Sequence, residues 1–238
     1  MTARKITDDF CQPRTASWQS RDKDQGALGL SLALVSEKSA DRQAVERAIT
    51  KKFERAYGAH LKHFLPDLMR LDVAGELGAV AGINAASNGA LFLEQYLDRP
   101  VEQAVAGAVM TPVDRHGIVE IGNLAANIPG HAYSLFAALA TTLSISGFRW
   151  VVCTATPQVA AMLSRMGFSS QAICAADPSL LESDATDWGD YYATRPRVLA
   201  GDVRLAAAQV ARTAVIAEQI GQLRQPISQM AACLPNAR

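Results

Sequence analysis

The sequence predicts an α/β (α+β) protein in which strands and helices alternate within one large domain. Short apolar runs of strand length, such as Leu28 to Val35, alternate with segments whose apolar residues recur every three or four positions. Gly and Pro separate these segments, as expected at turns. From about Asp202 the apolar pattern is helical, which predicts a C-terminal helical extension over residues 202–238 that follows a domain of residues 28–201.

The composition favours a globular, enzyme-sized protein without nucleic acid as a partner. Hydrophobic residues make up 49% of the 238 residues, so a substantial core can form. Lys plus Arg and Asp plus Glu both number 23, so no net charge attracts nucleic acid or an anionic membrane. The four cysteines are scattered without histidine at ligand spacing, so we expect neither a metal nor disulfides. No signal peptide is evident, and the expected compartment is the cytoplasm.

The N-terminal half contains a predicted strand, a helix and a pair of strands. Residues 1–27 mix charged and polar residues with little periodicity, and we expect a mobile leader. A buried strand over residues 28–35 precedes an amphipathic helix. Residues 67–73 and 77–85 then predict two paired strands, and a short helix is expected between Pro100 and Ala108.

The centre of the chain, residues 117–168, is predicted to be a strand–loop–helix–strand–helix unit. No Asp, Glu, Lys or Arg occurs from Ile121 through Phe148, but Pro129 divides this stretch into a strand and a helix. It is therefore interpreted as buried core, and we expect no stable membrane insertion. Residues 171–174 predict a further strand, and residues 190–199 predict the last one.

The C-terminal extension carries an apolar seam. Its spacing alternates between four and three residues, as in a coiled coil. The seam residues are Ile216, Ile220, Leu223, Ile227, Met230 and Leu234. Pro226 interrupts it, which predicts a kink or two shorter helices. The seam is expected to pack either against a partner subunit, giving a homodimer through the C-terminal helix, or against the protein's own domain.

The loop between the predicted strand and helix of the central unit suits a phosphate. A Gly-containing loop that opens a helix presents free backbone N–H groups and the positive end of the helix dipole. Asn127, Gly130, His131 and Ala132 are the candidate residues of this loop. The sequence therefore predicts a binding site for the diphosphate of a cofactor.

This order and spacing resemble the GCN5-related N-acetyltransferase superfamily, whose loop pattern is Gln/Arg-x-x-Gly-x-Gly/Ala. Asn127, Gly130 and Ala132 occupy those places, and Met166-Gly167-Phe168 matches the usual ending after the next helix. Asn in place of Gln/Arg is a departure from the pattern. The resemblance implies an acetyltransferase-like, mixed and mostly antiparallel sheet flanked by helices. It also implies an acyl-CoA or acyl-carrier-protein phosphopantetheine thioester as co-substrate.

Several separated motifs resemble the thermostable hemolysin family over roughly residues 53–202. These motifs are Ala56-Tyr57-Gly58-Ala59, Leu91 to Asp98, Val119 to Ala125, Trp150 to Thr156 and Trp188 to Tyr192. A more distant similarity is to acyl-homoserine-lactone synthases, in which two residues separate a Glu from a following Arg-Phe-Ala sequence. Here Glu120 precedes Asn123-Leu124-Ala125, so the Arg is absent.

These resemblances imply an N-acyltransferase that moves an acyl group from a thioester to a small amine or amino-acid-like acceptor. The backbones of Asn123, Leu124 and Ala125 would bind the pantetheine arm and polarise the thioester carbonyl, with Thr154 as a further contact. Acyl carrier protein is a candidate partner. The Tyr that often protonates the departing thiolate is replaced by Leu163, which leaves a non-catalytic relative open. A haemolytic, membrane-perturbing protein is the other alternative, motivated by the family name and the amphipathic tail.

Two acids are candidate catalytic residues. Glu120 lies in an otherwise apolar strand, where burial raises a carboxyl pKa toward that of a general base. A structural ion pair with Arg115 or Arg149 is the alternative. Glu94 is the second candidate and could orient the acceptor, although a surface or helix-capping acid fits equally well. Phe92, Tyr96 and Trp150 are the candidates for lining the substrate pocket.

Overall fold

A computed structural model describes residues 29–127, 130–181 and 185–235 of the chain. The expected leader at 1–27 and two residues of the phosphate loop, 128 and 129, lie outside these described residues. Within them, seven strands are found, and their bounds are β1 Leu30–Val35, β2 Asp67–Val73, β3 Glu76–Ala85, β4 Ile118–Ala126, β5 Trp150–Ala155, β6 Ser170–Ala175 and β7 Arg197–Asp202.

The strands form one mixed sheet in the order β1-β2-β3-β4-β5-β7-β6. Every neighbouring pair is antiparallel except β4 and β5, which are parallel and are joined by a helical crossover. The predicted α/β class with a mostly antiparallel sheet is therefore confirmed. The predicted hairpin is also confirmed, with Ala74 and Gly75 at positive φ between β2 and β3.

Seven α-helices cover the two faces of the sheet in the described part of the chain. They are α1 Arg42–Tyr57, α2 Val101–Val109, α3 His131–Ile145, α4 Pro157–Arg165, α5 Val203–Arg212, α6 Ala214–Gln222 and α7 Arg224–Cys233. Buried residues of α1 pack with Val80 and Ala125 on one face, whereas α3 packs with Ala81 and Ile121 on the other. None of the described helices combines the length and apolarity that a membrane crossing requires.

The C-terminal helices pack against the protein's own core. Ile220, Leu223, Ile227, Met230 and Leu234, which predicted a seam, are all buried in the cluster that α3 forms with the sheet. Of the two expected alternatives, the structure thus shows the stripe packed against the protein's own domain. Pro226 lies in the first turn of α7, where its missing N–H has no intrahelical partner to lose. The predicted division of the seam into two shorter helices, α6 and α7, is therefore confirmed.

The last strand begins later than the sequence predicted. Residues 190–199 were expected to form it, but β7 starts at Arg197 and a short 3-10 turn occupies Tyr192–Thr194. Arg195 adopts the left-handed conformation (φ 56), and Pro196 has no N–H to donate to a ladder. The expected strand from 190 was therefore wrong in its first half, and the tyrosines before Arg195 are free to turn away from the sheet.

The central strand β4 contains a bulge and then separates from β5. Val80 pairs with Ala125 and Gly82 with Gly122, so Ala81 alone opposes both Asn123 and Leu124. On its other side, β4 pairs with β5 only as far as Ile121 and Cys153. Beyond that point no strand of the described residues pairs with this edge of β4. The sheet thus opens in its middle, next to the bulge.

Candidate active site

A cavity of about 370 Å³ lies at this opening between β4 and β5. Its lining includes Gly122 and Leu124 from β4 and Cys153 and Thr154 from β5. Phe53 of α1 lines it on one side of the sheet and Phe136 of α3 on the other. The cavity therefore passes through the sheet, and one ligand can contact both faces. Six residues predicted for the site line it: Phe92, Tyr96, Glu120, Asn123, Leu124 and Thr154.

Glu120 is the buried acid of this cavity, with 4% of its surface exposed. Its Oε2 accepts a hydrogen bond from the Phe92 N–H at 2.9 Å, and its Oε1 accepts one from the Leu93 N–H at 3.0 Å. Burial raises the pKa of the Glu120 carboxyl to about 7, although the two N–H groups lower it. The side chain can therefore exchange a proton near neutral pH.

The arginines that could have neutralised Glu120 are occupied elsewhere. Arg115 Nη2 lies 2.7 Å from Glu94 Oε2, and its Nη1 lies 2.9 Å from Glu102. Arg149 Nη2 lies 2.6 Å from Asp202. Among the described residues Glu120 forms no ion pair, so this alternative reading of the acid has no support in the geometry.

Glu94 has a structural environment. Its carboxylate accepts hydrogen bonds from the N–H groups of Leu91 at 2.8 Å and Val101 at 3.0 Å, in addition to the Arg115 guanidinium. These interactions, led by Arg115, lower the pKa of the Glu94 carboxyl to about 2. Glu94 also lies outside the cavity lining. It holds the start of the Phe92–Tyr96 turn and the start of α2 in place.

Asn123 forms the bulge and fixes a loop over the cavity. Its φ is 47, a left-handed conformation that Asn tolerates better than most residues. Asn123 Oδ1 accepts from the Leu65 N–H at 2.8 Å, and its Nδ2 donates to the His63 carbonyl at 3.2 Å. The buried Arg42 guanidinium also fixes this loop, because it donates hydrogen bonds to the carbonyls of Leu65 and Pro66. The side chain of Asn123 therefore shapes the cavity wall.

The other predicted backbone and strand contacts lie around the opening. Leu124 lines the cavity, while Ala125 is buried against the α1 face and does not. Thr154 Oγ1 is buried and has no hydrogen-bond partner among the described residues. Trp150 lies at the far end of β5, where it pairs with Ile118 and stacks with Arg149, and it is absent from the lining.

The described residues of the predicted phosphate loop, Asn127 and residues 130–132, follow β4 and do not line this cavity. Asn127 is bound through its N–H to the Gly78 carbonyl at 2.8 Å, and Gly130 (φ 87) precedes the first residue of α3, His131. The predicted helix start is thus confirmed. His131 Nδ1 is buried without a described partner, and Ala132 lies in the first turn of the helix.

A second cavity, of about 410 Å³, connects this loop to α1 and is basic. It is lined by Lys51, Lys52, Arg55 and Asn127, together with two alanines of α1. Lys52 also lines the cavity at Glu120, so the two cavities adjoin. No described carboxylate lies within ion-pair distance of these three cations. The chain's zero net charge conceals this local concentration of positive charge.

A group of aromatic side chains, three of which were not predicted as site residues, covers the Glu120 side of the cavity. Trp188, Tyr191 and Tyr192 join the predicted Phe92 and Tyr96 there. Gly189 (φ 51) makes this possible, because a Cβ at this position would lie 2.1 Å from the Tyr57 carbonyl oxygen. In the sequence, Trp188-Gly189-Asp190-Tyr191-Tyr192 stood out by its aromatic density and as one of the motifs that carry the family resemblance, but part of it was interpreted as strand.

Solved structures with a similar fold include two acyl-transferring synthases. One is FeeM, an N-acyl amino acid synthase from uncultured soil microbes, with 16% identity and a TM-score of 0.52 over 77% of this chain and 95% of that chain. The other is BjaI, a CoA-dependent acyl-homoserine lactone synthase solved with SAM and isopentyl-CoA. It has 12% identity and a TM-score of 0.52, over 81% of this chain and 90% of that one. At these identities the likeness establishes the fold.

Sequence comparison assigns the family. No curated protein matches the chain significantly. The family model for thermostable hemolysin matches residues 35–207, which is most of the chain and includes β2 to β7 with the whole cavity wall. The protein belongs to the thermostable hemolysin family.

Proposed function

We propose that this protein is an N-acyltransferase that moves an acyl group from a phosphopantetheine thioester to a small amine. The observation that carries the proposal is Glu120, a buried carboxylate with a pKa of about 7 on the wall of a cavity that opens the sheet. Deprotonation of an ammonium at neutral pH requires a base in this range. FeeM and BjaI, which share the fold, are an N-acyl amino acid synthase and a CoA-dependent synthase, in agreement with this chemistry.

The donor is expected to enter from the basic cavity. Lys51, Lys52 and Arg55 form no ion pair with any carboxylate of the described residues and lie beside the loop that precedes α3, so they suit the phosphates of coenzyme A or of a carrier-bound pantetheine. From there the pantetheine arm reaches the gap between β4 and β5. The unpaired edge of β4 after Ile121 supplies backbone groups for its amides and for the thioester carbonyl.

Each step of the reaction then has a group to perform it. The Glu120 carboxylate takes a proton from the ammonium nitrogen of the acceptor, and the freed lone pair forms a C–N bond to the thioester carbonyl carbon. The carbonyl oxygen becomes an oxyanion, which N–H groups of the Asn123–Ala125 segment stabilise. Collapse of this intermediate breaks the C–S bond and releases a thiolate, and the nitrogen loses its second proton to the thiolate or to solvent, which leaves a neutral amide. The proton on Glu120 then passes to solvent, since Leu163 has no proton to give or to relay.

The test is a turnover assay with the full-length protein. Acyl-CoA and acyl carrier protein thioesters of several chain lengths are offered with a panel of amines, and thiol release and amide mass are measured. We expect an amide product, and we expect Glu120→Gln to reduce turnover by about 10²–10⁴-fold while thioester binding persists. Glu94→Gln is the matched control, because it removes the neighbouring carboxylate outside the cavity.

Two outcomes would replace the proposal. A thioester that binds and is never consumed with any amine would indicate a non-catalytic relative that senses an acyl cofactor. Absence of thioester binding, together with lysis of liposomes by the purified protein alone, would indicate a directly membrane-perturbing protein. Normal turnover in a folded Glu120→Gln protein would reject Glu120 as the base and leave the acyltransferase proposal standing.

A further inference from the structure

Five aromatic rings form one connected wall of the cavity beside Glu120, which we call the aromatic box. Its members are Phe92, Tyr96, Trp188, Tyr191 and Tyr192. Trp188 contacts Phe92, Tyr191 and Tyr192, with ring centroids 5.4 to 5.8 Å apart. Tyr96 contacts Phe92 at 6.3 Å and Tyr192 at 6.4 Å, which closes the circuit of rings. Such a wall presents several π faces and edges to one small volume.

The box is electrostatically suited to a cation. Glu120 borders it, since its carboxylate binds the Phe92 N–H, and Glu94 lies close enough to raise the Glu120 pKa further. Basic residues of the cavity lining are Lys52 and His63, which are exposed and belong to α1 and the 58–66 loop. The ring faces and the unpaired carboxylate thus lack a positive partner among the described residues. An organic cation would supply it.

The box also has an unused hydrogen-bond donor. The hydroxyls of Tyr96 and Tyr192 are hydrogen bonded to each other, and neither hydroxyl has another partner within the described residues. Two hydroxyls carry two protons, and only one is used between them. Burial raises the pKa of both tyrosines, so both keep their protons at neutral pH. The second proton is available to an oxygen atom of a ligand.

The opposite part of the cavity differs in character. Leu124, Phe136 and Val159 line it on the α3 face, and none of them carries a charge or a hydroxyl. An acyl chain therefore has an apolar lining that excludes Glu120 and the tyrosine pair. If the acyl chain lies on the α3 face, the aromatic box is available to the amine acceptor.

We propose that the aromatic box binds the acceptor as an organic ammonium ion that carries a neighbouring oxygen acceptor. The ammonium lies against Trp188 and the adjacent rings with Glu120 as its counter-ion, and its oxygen accepts from the Tyr96–Tyr192 pair. This inference rests on the proposed function, because it names the class of amine that Glu120 deprotonates. Bound in this way, the nitrogen that is to react is held beside the base.

The test is a binding comparison that needs no acyl donor. The probes are n-butylammonium and 1-butanol, which match in size and differ in charge, and binding is measured by calorimetry at pH 8, where Glu120 is ionised. We expect the ammonium to bind at least about tenfold more tightly than the alcohol. Equal affinities would overturn the inference, whatever the turnover assay shows.

Variants separate the contribution of the rings from that of the hydroxyls. Trp188→Leu keeps an apolar side chain and removes a π system, so the preference for the ammonium should fall by about three- to tenfold. Tyr192→Phe keeps the ring and removes the hydroxyl, so it should weaken the binding of 2-methoxyethylammonium, which carries an oxygen acceptor, more than the binding of n-butylammonium. A larger effect of Tyr192→Phe than of Trp188→Leu on the binding of n-butylammonium would overturn the ring assignment. Wild-type preference without any turnover would support the cation site and reject the acyltransferase proposal, so the two failures are distinguishable.

Discussion

The burial of Glu120 predicts that the stability of the fold depends on pH in a particular direction. The pKa of its carboxyl is about 7 in the folded protein, against an ordinary value of 4.5. Between these values the folded state holds a proton that the unfolded state has lost. The free energy of unfolding therefore decreases as the pH rises through this window. At about 1.4 kcal/mol for each pH unit, the total decrease from this group is about 3 kcal/mol.

The measurement is urea unfolding of the wild type and Glu120→Gln at intervals between pH 4.5 and pH 8.5. The amide nitrogen of Gln cannot accept a hydrogen bond, so either the Phe92 or the Leu93 N–H loses its acceptor. This loss lowers the free energy of unfolding of the variant by about 1–3 kcal/mol at every pH. Asp67, whose carboxyl pKa is also raised by burial, titrates in both proteins and cancels in the difference. As the pH rises from 4.5 to 8.5, we expect the free energy of unfolding of the variant to increase by about 3 kcal/mol relative to that of the wild type. A difference that stays constant across the window would refute an elevated Glu120 pKa, and with it the argument for this base.

Three further outcomes are expected. Asn123→Ala should lower the free energy of unfolding by about 1–3 kcal/mol in urea titrations, because it removes both hydrogen bonds to the loop. Asn123→Gly removes the same bonds but tolerates the positive φ, so its free energy of unfolding should fall less. A larger fall for Asn123→Gly would contradict the bulge assignment. Glu94→Gln should lower the melting temperature and leave turnover per folded molecule within about twofold, since its contacts are structural. The double variant Lys51→Glu, Arg55→Glu should raise KM for the thioester with little change in kcat, whereas Arg47→Glu on the same helix should not; an unchanged KM would exclude the basic cavity as the phosphate site.

The parts of the fold that the sequence predicted well are those set by local physics. The hairpin of β2 and β3 follows from two apolar runs around a Gly, and the start of α3 follows from a Gly before an apolar helical pattern. Glu120 was identifiable because an acid in an apolar strand is costly unless something compensates for it. Its candidate partners, Arg115 and Arg149, could not be excluded without the tertiary structure.

The features that the sequence missed depend on contacts between distant segments. The apolar seam of the tail indicated helices correctly, but periodicity does not distinguish a partner subunit from the chain's own α3. The tyrosines at 191 and 192 favour a strand by propensity, and tertiary packing of Gly189 on Tyr57 overrides it. Trp150 was placed in the pocket from its motif, yet β5 carries the cavity at its opposite end.

The strongest argument for function comes from comparing two acids that contact the same turn. Glu94 and Glu120 both accept backbone N–H groups at the start of the Phe92–Tyr96 segment. Glu94 is neutralised by Arg115 and has a pKa of about 2, whereas Glu120 has no described cation beside it and a pKa of about 7. If the turn alone needed stabilising, a second carboxylate paired like the first, or a neutral acceptor, would serve at lower energetic cost. An unpaired carboxylate that faces a cavity gains its cation only when a substrate brings one, and its raised pKa then allows it to remove that substrate's proton.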